Sequence, residues 1–327
     1  MIKTDFAILG AGAIGTILGA HLARAGHSVL MLVRAQREQQ IARDGLRVTG
    51  LIELSQPVST LSAPGQLSAA AVLIVATKTY VTAAALAGLR QADVGVALSI
   101  QNGMMKNDLL ADAFGSQRVL GSLANLSGEL RASGEVLFTR NARLFVGELD
   151  GSDSRRAREL AATIDVAGIH ATAEPQILSL EWSKFAAWAP MMILSVTTRA
   201  LTWKYLQDPG AALVLVRLVR EVGLLAAARR AQLSDRGVLP VATICQVSDQ
   251  DAVAAVAAVG RELQANAPLH RMSTLQDLDA GRPLEIEETL GHAIRLASEL
   301  RLDVPLLSGY YPLVAGIDRM QRPPAAG

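Results

Sequence analysis

The stretch Phe6-Ala7-Ile8-Leu9-Gly10-Ala11-Gly12-Ala13-Ile14-Gly15 decides how this chain is read. A short apolar run enters G-x-G-x-x-G, and helix-period sequence follows from Ala13 to about Ala25. That order suits a dinucleotide pyrophosphate. Gly10 permits the tight turn, Gly12 lets backbone approach phosphate, and Gly15 lets the helix pack against the strand. The helix N-terminus adds unpaired N–H groups and a partial positive charge, with Ala11, Ala13 and Ile14 completing the loop. A plain βαβ unit with packing glycines is the alternative. Working outward, Ala25-Gly26-His27 reads as a stop and turn, and Ser28 to Val33 as a second buried strand.

The end of that second strand bears on the cofactor. An NAD site usually places Asp or Glu there to accept from the ribose 2′-hydroxyl. Here Val33 is followed by Arg34, with Arg37 three residues on and no carboxylate before Glu38. A guanidinium pairs bidentately with a 2′-phosphate that a carboxylate would repel, so NADP(H) is expected. The alternative is that Arg34 is a solvated charge after a strand.

The pattern alternates strands and helices to about Ala173. Strand candidates are Phe6–Leu9, Ser28–Val33, Val72–Ala76, Val94–Ile100 and Val119–Leu123, several of them continuous apolar runs that suit a parallel sheet covered on both faces. Gly45 to Gln56 reads as a small antiparallel excursion, and Leu137–Thr139 with Leu144–Val146 as a hairpin at the far edge. Helical spacing then takes over in Pro175–Ala189, Ala211–Arg230, Asp251–Gln264 and Glu285–Leu300. The expected fold is α/β: an N-terminal Rossmann-type doubly wound sheet over residues 1–173, then an all-helical C-terminal domain over 174–321. Residues 322–327 read as a disordered tail. On this plan the active cleft lies between the domains, at the carboxyl ends of the strands.

Composition narrows the class further. The chain has 327 residues, half of them apolar, and a formal net charge of +1, which gives no basic field for nucleic acid. Its one cysteine, Cys245, excludes an intrachain disulfide framework, fits a reducing cytoplasm and reads as a core filler rather than a reactive thiol. No signal-peptide order and no uncharged apolar run long enough for a membrane span is present, so a cytoplasmic protein is expected. No metal is expected. The apolar helices of the second half fit either a homodimer interface or that half's own core.

Candidate chemistry sits at two further strand ends and in the helical half. Val72 to Thr77 runs into Lys78, and Val94 to Ile100 runs into Gln101-Asn102-Gly103. If the sheet is parallel, Lys78 and Asn102 share the rim of the glycine loop; the plain readings are a solvent-facing lysine and a helix cap. Lys184 lies in the apolar context Trp182-Ser183-Lys184-Phe185, where burial would lower its pKa and make it a usable general acid. Taken alone, it reads more readily as a snorkelling surface lysine. Farther on, Ser273 begins a polar helix, a Gly281-Arg282-Pro283 turn follows, and Glu285 opens an acidic helix start that it could simply cap.

In order and spacing, the glycine loop, Lys78, Gln101-Asn102-Gly103, Trp182-Ser183-Lys184 and Ser273-x-Leu-Gln-Asp-x-x-x-Gly-Arg-x-x-Glu285 resemble the ketopantoate reductases (2-dehydropantoate 2-reductases) across essentially the whole chain. The resemblance implies NADPH-dependent reduction of a small 2-oxo acid, 2-dehydropantoate to pantoate, a step of pantothenate biosynthesis. Lys184 matches the family's proton donor and Glu285 the glutamate near the substrate hydroxyl and the cofactor. Asn102 matches the asparagine that contacts nicotinamide and substrate, and Lys78 the lysine beside the cofactor. Ser273 matches the serine that holds the substrate carboxylate, and Ser127 a backbone contact on the nicotinamide side.

The resemblance fails along one wall. Four and eight residues after the lysine the family carries asparagines that face the substrate; this chain carries Trp188 and Met192. Two further family asparagines align with Thr202 and His270. An indole and a thioether make that wall apolar, which implies a bulkier or less polar 2-oxo substrate. The alternatives are that Trp188 is helix packing, or that Pro190 shifts the helix register. From another class, a non-catalytic NADP-binding redox sensor is opposed by retention of Lys184 and Glu285.

Overall fold

A computed structural model describes residues 2–322; of the expected tail, positions 323–327 lie outside the described residues. The chain forms two compact units, Met1–Leu178 and Ser179–Gly327.

The first unit is built on a parallel sheet of β1 (Ile2–Leu9), β2 (Val29–Leu32), β5 (Ser59–Leu61), β6 (Leu67–Val75) and β7 (Asp93–Ser99), in the order β5-β2-β1-β6-β7. The strands leave β1 to one side and then to the other, so the strand order reverses beside β1, where doubly wound folds take their ligands. Side-chain alternation supplies both faces. Phe6, Ile8, Met31 and Ile74 enter one core, while Ala7, Leu9, Leu30, Leu32 and Leu73 enter the other.

Helix α1 (Ala13–Arg24) buries eight of its residues from Gly15 to Leu22. It touches β1 and β2 of the parallel sheet and also β3 (Leu46–Gly50), β4 (Leu54–Gln56), β8 (Gly121–Leu130) and β9 (Val136–Gly147) of a second sheet. A helix covered on both sides has no need of a polar stripe, which explains its apolar character. Gly19 marks the closest approach: a β-carbon there would meet Met31 Sδ at 2.8 Å and Leu46 Cδ1 at 2.9 Å.

The second sheet runs β10-β9-β3-β4, with β10 at Ala171–Ala173 and β8 antiparallel to β9. The β3–β4 pair is the expected antiparallel excursion. Two strand expectations are corrected. Val119–Leu123 does not extend the parallel sheet: only Val119 bridges Ala97, and the chain then crosses into β8. Leu137–Thr139 and Leu144–Val146 are no hairpin but parts of the single twelve-residue strand β9, which pairs along the ten-residue β8, and both strands flank α1. Around the sheets lie α2 (Ala35–Asp44), α3 (Thr82–Ala87), α4 (Met105–Phe114) and α5 (Arg155–Val166).

Among the described residues, no strand follows β10. The second unit consists of α6 (Ile177–Thr198, entered from the first unit), α7 (Thr202–Gln207), α8 (Pro209–Ala228), α9 (Val241–Ile244), α10 (Asp249–Asn266), α11 (Ser273–Asp279), α12 (His292–Glu299) and α13 (Pro305–Gln321). Helix α6 continues unbroken through Pro190. Within this unit Glu221 of α8 is buried, and its carboxylate accepts from the Leu306 and Leu307 N–H groups at 2.9 and 2.8 Å, capping α13 from outside its own sequence. Cys245, at the C-terminal cap of α9, is exposed rather than a core filler. Desolvation still pushes its thiol pKa up, the direction opposite to thiol activation.

Candidate active site

The glycine loop is shaped by two different demands. Gly10 has φ +104°, and a β-carbon there would meet Thr77 Cγ2 and N at 2.9 Å; on Gly15 it would stand 2.1 Å from the Gly10 carbonyl. Protein packing therefore requires glycine at both. It does not at Gly12, where a β-carbon would meet nothing nearer than the Ala76 carbonyl oxygen at 3.9 Å. Gly12 caps α1 without any side-chain bond, and its N–H donates to no backbone acceptor. An open, side-chain-free position at a helix N-terminus fits a pyrophosphate, so the residues present suit a dinucleotide.

Three more expected residues share this rim. Arg34 follows β2 and is exposed, and its guanidinium makes no hydrogen bond or ion pair with the described residues. Lys78 follows β6 and is exposed. Asn102 follows β7 and is half-buried. It is not a helix cap, since α4 is capped at Met104 without a side-chain bond, and its amide makes no side-chain hydrogen bond within the described residues. Ser127 belongs to the second sheet, exposed on β8 beside a register shift, with its carbonyl accepting from the Thr139 hydroxyl at 3.2 Å.

Gln101, which the sequence reading left without a role, ties this rim together. Its buried amide donates to the Thr77 carbonyl at 2.7 Å and the Thr82 hydroxyl at 2.6 Å, and accepts from Ser99 Oγ at 2.9 Å. The ends of β6 and β7 are thereby fixed under Lys78 and Asn102. Its signal was its place beside Asn102 after a buried strand.

In the second unit, Lys184, Trp188 and Met192 recur at four-residue spacing on α6 and so share one face. Lys184 and Trp188 are half-buried, whereas Met192 has no exposed surface. The Trp188 ring stacks on Phe185 at 6.3 Å between centroids, and Trp182 meets Phe185 edge-on at 6.1 Å. Ser183, next to Lys184, accepts from the Ser234 N–H at 2.9 Å and donates to the Ser179 carbonyl at 2.7 Å, which pins the loop after α8 to this helix.

Ser273 is the exposed first residue of α11. The turn that follows is clamped: Arg282 Nε donates to Asp277 Oδ1 at 2.7 Å, and the Leu284 N–H donates to Asp318 Oδ1 at 3.0 Å. Glu285 is half-buried, and its carbonyl accepts from the Thr289 hydroxyl where the chain enters a π-turn at Glu287–Gly291. Thr202 and His270, which stand where the resemblance has asparagines, are joined to each other by Oγ1 and Nδ1 at 2.9 Å.

A doubly wound sheet with a glycine loop at its switch point, followed by a helical unit, defines the class: a two-unit dinucleotide-dependent oxidoreductase. The comparisons narrow it. The family model "Ketopantoate reductase PanE/ApbA" matches residues 6–151, and its C-terminal counterpart matches 176–318. A 2-dehydropantoate 2-reductase of Archaeoglobus fulgidus is 28% identical over 95% of this chain and 97% of its own. The crystal structure of a PanE/ApbA family ketopantoate reductase from Ralstonia eutropha superposes with a TM-score of 0.80 at 26% identity, covering 98% of this chain and 99% of that one. D-mandelate dehydrogenase in complex with NADH shares the fold, with a TM-score of 0.80 at 19% identity over 98% of this chain and 100% of that one. The chain belongs to the ketopantoate reductase family, and it is an NAD(P)H-dependent oxidoreductase acting on CH–OH groups. No helix among the described residues is long and apolar enough to cross a membrane, and no cluster of three or more His, Cys, Asp or Glu could hold a metal there.

Proposed function

We propose that this enzyme uses NADPH to reduce a 2-oxo acid to the 2-hydroxy acid, with 2-dehydropantoate as the first substrate to test. The observation that carries the proposal is that a chain whose two halves both match the family keeps a half-buried Lys184 on α6 and a half-buried Glu285. The bound nicotinamide supplies hydride. The glycine-loop N–H groups bind the pyrophosphate, and Arg34, exposed and uncommitted, pairs with the 2′-phosphate. Lys78, Asn102 and Ser127 serve the cofactor, with Asn102 also touching substrate. Charge developing on the ketone oxygen is stabilised by the Lys184 ammonium, which then gives up its proton. Glu285 orients the substrate hydroxyl, and Ser273 holds the carboxylate.

A second reading, a less polar 2-oxo acid, is favoured by Trp188 on the Lys184 face and by the side chains of Thr202 and His270 being engaged with each other. Steady-state NADPH and NADH oxidation with a panel of polar and apolar 2-oxo acids tests both readings. Lys184→Ala should lower kcat on the best substrate by at least about 10²-fold, the usual worth of a positioned acid; an unchanged rate removes Lys184 from the role. Dinucleotide binding without turnover of any 2-oxo acid would favour the sensor instead.

A further inference from the structure

Arg37 carries a half-buried guanidinium with no carboxylate partner among the described residues. Its Nη1 donates to Gln40 Oε1 at 2.6 Å and to the Gly134 carbonyl at 3.0 Å, and its Nη2 donates to Thr16 Oγ1 at 3.2 Å. Its Nε is buried and unpartnered. Burial lowers its pKa, as expected for a cation held only by neutral acceptors. Such a group is a poor stabiliser compared with an apolar side chain of similar size. What its donors hold in place is therefore the informative part.

Thr16 is fully buried in the first turns of α1, and its hydroxyl, having accepted from Arg37, donates to the Ala11 carbonyl at 3.3 Å. Ala11 and Gly12 share one planar trans peptide, in which the carbonyl and the N–H point in opposite directions. Holding the Ala11 carbonyl toward Thr16 thus turns the Gly12 N–H toward the open side of the loop. We infer that Arg37 is a positioning residue for the dinucleotide, acting through Thr16 and the Ala11 carbonyl to aim the Gly12 N–H at the pyrophosphate. Gln40 steadies the arrangement by donating to the Ser133 carbonyl at 2.6 Å, so α2 grips the β8–β9 turn while Arg37 reaches the loop. Arg37 is accordingly not a second arm for the 2′-phosphate; its donors face protein.

The inference rests on the dinucleotide reading of the loop, and equilibrium binding separates the two. NADPH and NADH are titrated against the wild type, Arg37→Met, Thr16→Val, the double variant and Arg34→Ala, with thermal melts run alongside. The pyrophosphate is common to both nucleotides. Arg37→Met and Thr16→Val should each raise Kd for both by a similar factor, about 5- to 10-fold, as expected for one misaligned hydrogen bond. The double variant should be little worse than either single one, because the three groups act in series. Arg34→Ala should weaken NADPH alone. Thr16→Val keeps the shape and the Arg37 charge, so it carries the test even if Arg37→Met melts early. Loss of NADPH affinity alone in Arg37→Met, or unchanged Kd values in Thr16→Val, would overturn the inference while leaving dinucleotide binding intact. A wild type that bound neither nucleotide would overturn the loop reading itself.

Discussion

His270 and Thr202 are joined twice: their side chains by Nδ1 and Oγ1 at 2.9 Å, and their backbones by the Thr202 N–H donating to the His270 carbonyl at 3.1 Å. The Trp203 indole N–H adds a bond to the Pro268 carbonyl at 3.0 Å, so the segment before α11 is fastened to the start of α7. Groups engaged this way serve structure first. His270→Ala should lower unfolding free energy by about 1 kcal/mol, the net worth of an ordinary hydrogen bond. It should change kcat/KM on the best substrate by less than about threefold, well under 1 kcal/mol of transition-state stabilisation. A hundredfold loss would put the imidazole on the substrate instead.

Under the proposed function, Trp188 is expected to bear on specificity. Replacing the indole by an amide, Trp188→Asn, should raise the ratio of kcat/KM for 2-dehydropantoate over a phenyl-bearing 2-oxo acid by about 10-fold or more, since a site that pairs a substrate hydroxyl discriminates more strongly than an apolar wall. Paired kinetics on the two acids measure it. A ratio that does not move would make Trp188 a packing residue, in keeping with its stack on Phe185.

His21 gives the fold a pH dependence. It is buried on α1 with Nδ1 2.9 Å from the Ala167 carbonyl, which sets the proton on Nδ1, and with Nε2 unpartnered. Desolvation lowers its pKa below the ordinary 6.5. Above that value both folded and unfolded chains carry a neutral ring, and the stabilising contribution is complete. Below it the unfolded chain takes up a proton that the folded one resists, so stability falls. The urea midpoint should therefore drop between pH 7.5 and pH 5.5, about one unit either side of the ordinary His value. His21→Gln should flatten that drop while lowering stability at the higher pH; an equal drop in both proteins would assign it to other groups.

Glu221 holds two backbone donors at the start of α13, where Val304 supplies no side-chain cap. Glu221→Leu leaves both N–H groups, the Leu307 one buried, without an acceptor and should cost about 2–4 kcal/mol, with Glu221→Gln losing less because one carbonyl oxygen remains. Chemical denaturation of the three proteins measures it. Equal midpoints would show the cap to be replaceable by water.

Much of this architecture is legible in the sequence because local signals and burial agree. The parallel strands are continuous apolar runs, and Gly10 and Gly15 stand where a β-carbon has no room. Val119–Leu123 and the two halves of β9 misled because apolar spacing shows that a segment is extended, not which partner it pairs with. Cys245 was misread since its neighbours Ile244 and Val241 are buried while it sits past a helix end. In the candidate site, Arg34, Lys78 and Asn102 could be placed from strand ends alone. Gln101, Ser183 and the Thr16–Arg37 contact could not, because they depend on bonds between segments far apart in the chain, such as Thr16 and Arg37 at a separation of 21 positions.

The helix that carries the glycine loop is enclosed by two sheets, with Ile17, Leu18, Ala20 and Leu22 wholly screened from solvent. Its amides can exchange with solvent only when both sheets part from it, so they should belong to the last group of protons to be released. The loop proposed to anchor the cofactor is then attached to a helix that should open late. Whatever adaptation different substrates demand must come from elements that open more cheaply.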